Sequence, residues 1–159
     1  MNTTLVEIPS LIKSLSTTPI DNLRWSSYLQ KLKEKYPGEW SNEPDNITWY
    51  HPDCYIVCCM HRHPQFGFWC GYLGLDYIPE KVDNTLFHGG VTYNQSSLRC
   101  YSAAENEPLI KTWLGFDCGH IFDAQPFNEY CANGYTYRNV EYVALNLLDA
   151  KDVLVGRQK

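Results

Sequence analysis

Two short stretches hold side chains whose types and spacing could do chemistry together. In His88-Gly89-Gly90-Val91-Thr92-Tyr93 an imidazole stands before two glycines and a β-forming run. In Asp117-Cys118-Gly119-His120-Ile121-Phe122-Asp123 two carboxylates, a thiol and an imidazole follow the apolar run Trp113-Leu114-Gly115-Phe116. An aspartate near a histidine has three standard uses. It orients the imidazole as a base, it shares a divalent metal with it, or it closes a turn by hydrogen bonding. For one loop alone the turn is sufficient. Two histidine-bearing, glycine-containing segments, each adjoining a strand of one small sheet, point instead to a shared site. His88, Asp117, His120 and Asp123 are therefore the candidate catalytic residues, and Asp117, His120 and Asp123 the candidate ligands of one divalent metal such as zinc. His88 precedes its strand and His120 follows its own. Their ends meet only if the strands run antiparallel as neighbours or near-neighbours.

The elements that must position these residues are readable from hydrophobic spacing. Tyr28, Leu29, Leu32 and Tyr36 share one helical face, and Pro37-Gly38 ends that helix. Leu5, Ile8, Leu11, Ile12 and Leu15 suit a short helix between Ser10 and Ser16. Residues 39–53 read as an irregular connection with one short strand over Ile47–Tyr50. Tyr55–Met60 and Phe68–Leu75 are apolar runs around Pro64-Gln65-Phe66-Gly67, which predicts a hairpin. Further strands are expected over Gly90–Tyr93 and Lys111–Asp117, with a loop over Asn94–Pro108. Val140, Val143, Leu147 and Leu154 form one stripe of a C-terminal helix, with Ala144 and Leu148 beside them. Thr136 is its expected cap and Gly156 its expected end. The order predicts α+β: a single domain over 1–159, with an antiparallel sheet of about four to five strands packed by an N-terminal and a C-terminal helix.

Composition narrows the function classes. The chain has 159 residues and a net charge of 13 − 18 = −5, which disfavours nonspecific nucleic-acid binding. It has no apolar run of membrane-spanning length, and its first residues do not read as an export signal. Seven cysteines, an odd number at irregular spacing, predict reduced thiols and no disulfide in a cytoplasmic protein. Cys54, Cys58, Cys59, His61, His63 and Cys70 lack zinc-knuckle spacing, and Cys58 and Cys59 must point to opposite sheet faces. Packed thiols are the reading there. Cys70 and Cys118 are weaker nucleophile candidates, since each would need an imidazole at hand.

Four motifs carry a resemblance. Cys70-Gly71-Tyr72-Leu73-Gly74, the His88–Tyr93 stretch, Gly115–His120 with Asp123, and Tyr137-Arg138 with Glu141-Tyr142-Val143 resemble GYVG, HGGLTY, GFDCAH and YR…YV motifs in a group of small proteins encoded by bacteriophages and prophages. The resemblance spans roughly residues 55–155, with Leu73, Val91 and Gly119 replacing Val, Leu and Ala. It implies a setting, the cytoplasm of a bacterial host cell, and no activity.

The expectation is an enzyme that hydrolyses a small phosphorylated or nucleotide-like ligand at the His/Asp site, directly or with a metal, in a counter-defence role. Tyr72, Thr92, Tyr93 and Arg138 are candidate ligand-binding residues. Two alternatives stay open. One is capture of a nucleotide signal without cleavage, by stacking on rings such as Trp69, Tyr72, Tyr93 and Trp113. The other is a protein-binding inhibitor of a host defence protein.

Overall fold

A computed structural model describes residues 22–51, 53–98, 109–128 and 135–158. Helix α1 spans Asn22–Lys35, and a 3-10 turn follows at Glu39–Asn42. Strands β1 (Asn46–His51), β2 (Ile56–Arg62) and β3 (Trp69–Leu75) come next. A second 3-10 turn at Asn84–Leu86 precedes β4 (Tyr93–Gln95), β5 (Thr112–Asp117) and helix α2 (Val140–Arg157). The fold is α+β, with one antiparallel sheet of order β1-β2-β3-β5-β4. No described helix is long and apolar enough to cross a membrane.

Side-chain alternation divides the sheet into two faces. Ile56, Cys58, Met60, Leu73, Leu75, Leu114 and Phe116 point toward α2, which supplies Val143, Ala144, Leu147 and Leu148. Val57, Cys59 and Trp113 form a second cluster with Leu98, flanked by Tyr50, Tyr72 and Tyr93. Adjacent Cys58 and Cys59 thus fall into different clusters, as alternation requires. Cys54, Cys58, Cys59, Cys70 and Cys118 are free thiols; Cys100 and Cys131 lie outside the described residues. Leu147 is fully buried between α2 and the sheet. Leu147→Ala is expected to destabilise by about 2–4 kcal/mol as a core truncation, read as a lower urea midpoint with an unchanged slope. An unchanged midpoint would mean the stripe does not carry the core.

Several expected boundaries move. The α1 helix begins earlier than Tyr28, and Tyr28 is exposed while Lys33 is buried. Strand β4 starts at Tyr93 rather than Gly90, because Gly89 and Gly90 have φ of 68° and 94°, outside strand geometry. Asn94 and Gln95 belong to β4, not to a loop. The middle strand of the five is β3; β5 is interior, between β3 and the edge strand β4. The α2 cap is Asn139, whose side chain accepts from the Tyr142 amide, not Thr136. Thr136 instead bridges to Asp123. Gly156 does not end α2, which continues to Arg157, and the Arg157 guanidinium is anchored on Asp83 at 2.6 Å. The short helix expected between Ser10 and Ser16 lies outside the described residues.

Candidate functional site

Antiparallel pairing of β4 with β5 sets Tyr93 opposite Gly115, and the Thr92 amide extends that ladder to the Gly115 carbonyl. The residues before β4 therefore lie beside those after β5. Phe87 is buried and stacks on Phe116 with ring centroids 4.9 Å apart, which fixes the His88 backbone against the sheet. Beyond β5 the chain turns at once. Asp117 accepts from the Gly119 amide, and the Asp123 amide donates to the His120 carbonyl. A bridge between Asp123 and Thr136 then lays the segment before α2 alongside this loop, bringing Arg138 to Asp123.

The two histidine motifs touch. The His88 and His120 ring centroids are 5.3 Å apart, nearly perpendicular. A Cβ on Gly89 would meet the His120 ring at 2.4 Å, and the positive φ of Gly89 is itself unfavourable for other residues. The glycine after His88 is thus explained by the imidazole of the other motif.

Asp123 is the hub. Its Oδ2 accepts from His88 Nε2 at 2.7 Å and from the His120 amide at 3.1 Å, and its Oδ1 accepts from Arg138 Nε at 3.0 Å. Burial pushes the Asp123 carboxyl up, but the bonds from His88 and Arg138, the charge at His88 and the His120 amide outweigh it and hold the carboxyl below its ordinary range. An ionised carboxylate only accepts, so Nε2 of His88 carries the hydrogen. In the neutral ring Nδ1 of His88 offers its lone pair to the Tyr142 hydroxyl, 2.8 Å away. The His88 amide also donates to Asn146 Oδ1, and Asn146 is tied back to the Tyr142 carbonyl.

His120 Nδ1 lies 3.6 Å from Asp123 Oδ2 and 3.8 Å from Asp117 Oδ1. It is buried with no hydrogen-bond partner. Among the described residues, His88, His120 and Asp123 form the donor set that could hold a metal ion, with ligand atoms all within 4.8 Å of one another. Asp117, expected in that set, stands at its rim, bonded to Thr92 Oγ1 at 3.2 Å. His88 takes its place. No protein-family model, curated protein or solved structure matches the chain.

Other expected site residues separate. Thr92 touches the rim through Asp117, and Arg138 is in the site. Tyr72 and Tyr93 are not. They pack edge to face with each other at 5.3 Å, beside Val57 and Trp113 on the opposite sheet face. Trp69 and Trp113 are buried in the core. Burial pushes the Cys118 thiol well up, so it remains a packed neutral group. Tyr142 and Asn146 are the site residues that spacing did not single out. They lie four apart on α2, one turn after Arg138, so a polar stripe beside the apolar one was the available signal.

Proposed function

We propose that the protein hydrolyses a small phosphorylated, nucleotide-like ligand at the site made by His88, His120 and Asp123, with Arg138 as the anion anchor. The supporting observation is convergence: two imidazoles from separate motifs meet one buried carboxylate and one guanidinium. Arg138 commits only Nε to Asp123. Its terminal amino groups have no partner among the described residues, and their fork matches a phosphoryl group. Asp123 fixes the tautomer and orientation of His88, the arrangement a general base needs. The resemblance to phage-encoded proteins suggests counter-defence against a nucleotide signal as the setting.

One observation favours a metal-assisted version, the buried and unpartnered Nδ1 of His120. Two ligands of one tetrahedral zinc are ~3.3 Å apart, from bond lengths near 2.0–2.1 Å. The 3.6 Å between His120 Nδ1 and Asp123 Oδ2 fits that spacing, whereas the 2.7 Å between His88 Nε2 and Asp123 Oδ2 would have to open and the hydrogen on Nε2 would have to move to Nδ1 before this ring could bind zinc. A bound zinc would supply a water acidic enough to attack at neutral pH.

The test is turnover of p-nitrophenyl phosphate, its bis-ester and a panel of linear and cyclic nucleotides, in zinc, in manganese and in chelator. His120→Ala is expected to lower turnover at least ~100-fold while leaving the melting midpoint close to that of the wild type, since this ring is partly exposed. Zinc titration of both proteins separates the two versions. Absence of turnover under every condition would end the hydrolase reading. A nucleotide released intact on denaturation would then favour capture, and its absence a protein-binding inhibitor.

A further inference from the structure

We infer that Tyr142 is the nucleophile of this site and carries a transient phosphoryl group, a role that rests on the phosphate-ester hydrolysis proposed above. Asp123 Oδ2, His88 and the Tyr142 hydroxyl form an unbroken line, with the imidazole bonded at 2.7 Å on one side and 2.8 Å on the other. This is the carboxylate–imidazole–hydroxyl arrangement that activates a hydroxyl nucleophile, with a phenol at the reacting end. The direction of proton flow follows from the tautomer. With Nε2–H held by the carboxylate, the neutral imidazole has its lone pair on Nδ1, so Nδ1 is the base and the phenol is the donor.

Two further features suit the role. The Arg138 guanidinium lies over the Tyr142 ring, 4.9 Å from its centroid. Its unpartnered amino groups can therefore hold a phosphoryl group close to the phenol that would attack it. The ring itself is fixed, because Tyr142 sits in the first turn of α2 with its amide capped by Asn139 and its carbonyl bonded by Asn146. A nucleophile on a rigid, capped turn needs little reordering to react.

The chemistry balances in two steps. Tyr142 Oη forms a bond to phosphorus as the ester P–O bond breaks. The phenolic proton moves to His88 Nδ1 and from there to the departing alkoxide, which leaves as an alcohol. Water then attacks the phosphotyrosine, gives its proton to His88, and phosphate leaves as the proton returns to Tyr142 Oη.

An aryl sulfonyl fluoride tests the reactivity without knowledge of the substrate. The S–O bond to tyrosine forms, the S–F bond breaks, and fluoride leaves. Tyr28, Tyr55 and Tyr135 are the internal controls, being 46%, 55% and 43% exposed. Peptide mass spectrometry is expected to show Tyr142 labelled at least ~10-fold faster than these, with a fall of the same order in His88→Asn and in Asp123→Asn, each checked as folded by circular dichroism. Labelling in order of exposure, or insensitive to both substitutions in folded protein, overturns the inference. For any ester turned over by the wild type, acid quench is expected to trap phosphate on residue 142, and Tyr142→Phe to be inactive. Turnover by Tyr142→Phe, or a phosphoryl adduct on His88, overturns the role of Tyr142 and leaves the hydrolase reading intact. Selective labelling of Tyr142 without turnover of any ester removes the hydrolase reading and the phosphoryl role with it, and leaves only the activation of the phenol by His88.

Discussion

Arg62→Leu is expected to destabilise the protein by about 3–5 kcal/mol, the cost of taking a fully buried guanidinium away from two partly exposed carboxylates and three further acceptors. Arg62 ends β2 with a fully buried side chain. Its five N–H donors meet five acceptors: Nε bonds Asp45 at 2.6 Å, Nη1 bonds the Gly67 carbonyl and Tyr137 Oη, and Nη2 bonds Glu43 and the Pro44 carbonyl. The guanidinium also lies 4.7 Å from the centroid of the Trp69 ring. Glu43 in turn accepts from Trp69 Nε1 and from Tyr137 Oη, and its second oxygen accepts from the Val140 amide at the start of α2. Leucine would fill most of the volume and satisfy none of these groups. Urea unfolding at neutral pH measures the loss. A cycle with Glu43→Gln sharpens it: the double variant should lose less than the sum of the singles, because the second change removes the orphaned charge. A loss below about 1 kcal/mol would mean that water and Lys33, which already lies 2.7 Å from Asp45 Oδ1, hold the carboxylates without the guanidinium.

Nothing in the sequence marks that network, and the reason is physical. Periodicity reports which residues share a face of one element. It carries no information about a carboxylate at 43 whose partners are at 62, 69, 137 and 140. Residues 39–53 therefore read as an irregular connection with one short strand over Ile47–Tyr50, although Glu43 and Asp45 just before β1 are tied to the Arg62 guanidinium. The hairpin of β2 and β3, the β5 run and the α2 stripe were legible because each depends on local alternation or on a 3.6-residue repeat. The start of β4 was not legible, because a β-forming Gly90-Val91-Thr92 run looks the same whether or not its glycine adopts a positive φ. At the site, the meeting of His88 with the His120 loop follows once β4 and β5 are antiparallel neighbours. The exchange of Asp117 for His88 in the donor set does not. It depends on which carboxylate turns inward past the end of β5, and that is decided by the bridge from Asp123 to Thr136. Tyr72 and Tyr93 stand close to the site motifs in sequence, but strand alternation sends both to the far face.

Stability is also expected to fall by roughly 3–5 kcal/mol as pH drops from 6.5 to 4, most of it above the range in which ordinary carboxylates protonate. Burial pushes His51 down to about 4, helped by the Lys151 charge, and burial with the neighbouring His63 pushes His61 down to about 4. For His51 the geometry gives the same sign. Its Nε2 accepts the Trp49 indole N–H at 2.7 Å, and protonation would set two donors against each other. In this window the unfolded chain binds protons that the folded chain refuses, so stability rises with pH. The contribution is complete above the ordinary histidine value near 6.5 and is lost as pH falls toward the folded value. A shift of this size corresponds to ~3 kcal/mol for a fully desolvated ring and less where water reaches it. The carboxyls of Asp83 and Asp123 are also held below their ordinary range, Asp83 by bonds from Thr85 and Arg157, so their contributions are lost only at still lower pH. His51→Gln separates the terms, because the amide oxygen can accept the same indole N–H and does not titrate. Urea midpoints between pH 7 and 4 should slope less steeply for this variant than for the wild type, while the two limbs run parallel below pH 4. A wild-type midpoint that is flat from pH 6.5 to 4.5 would mean that both imidazoles ionise freely in the folded protein.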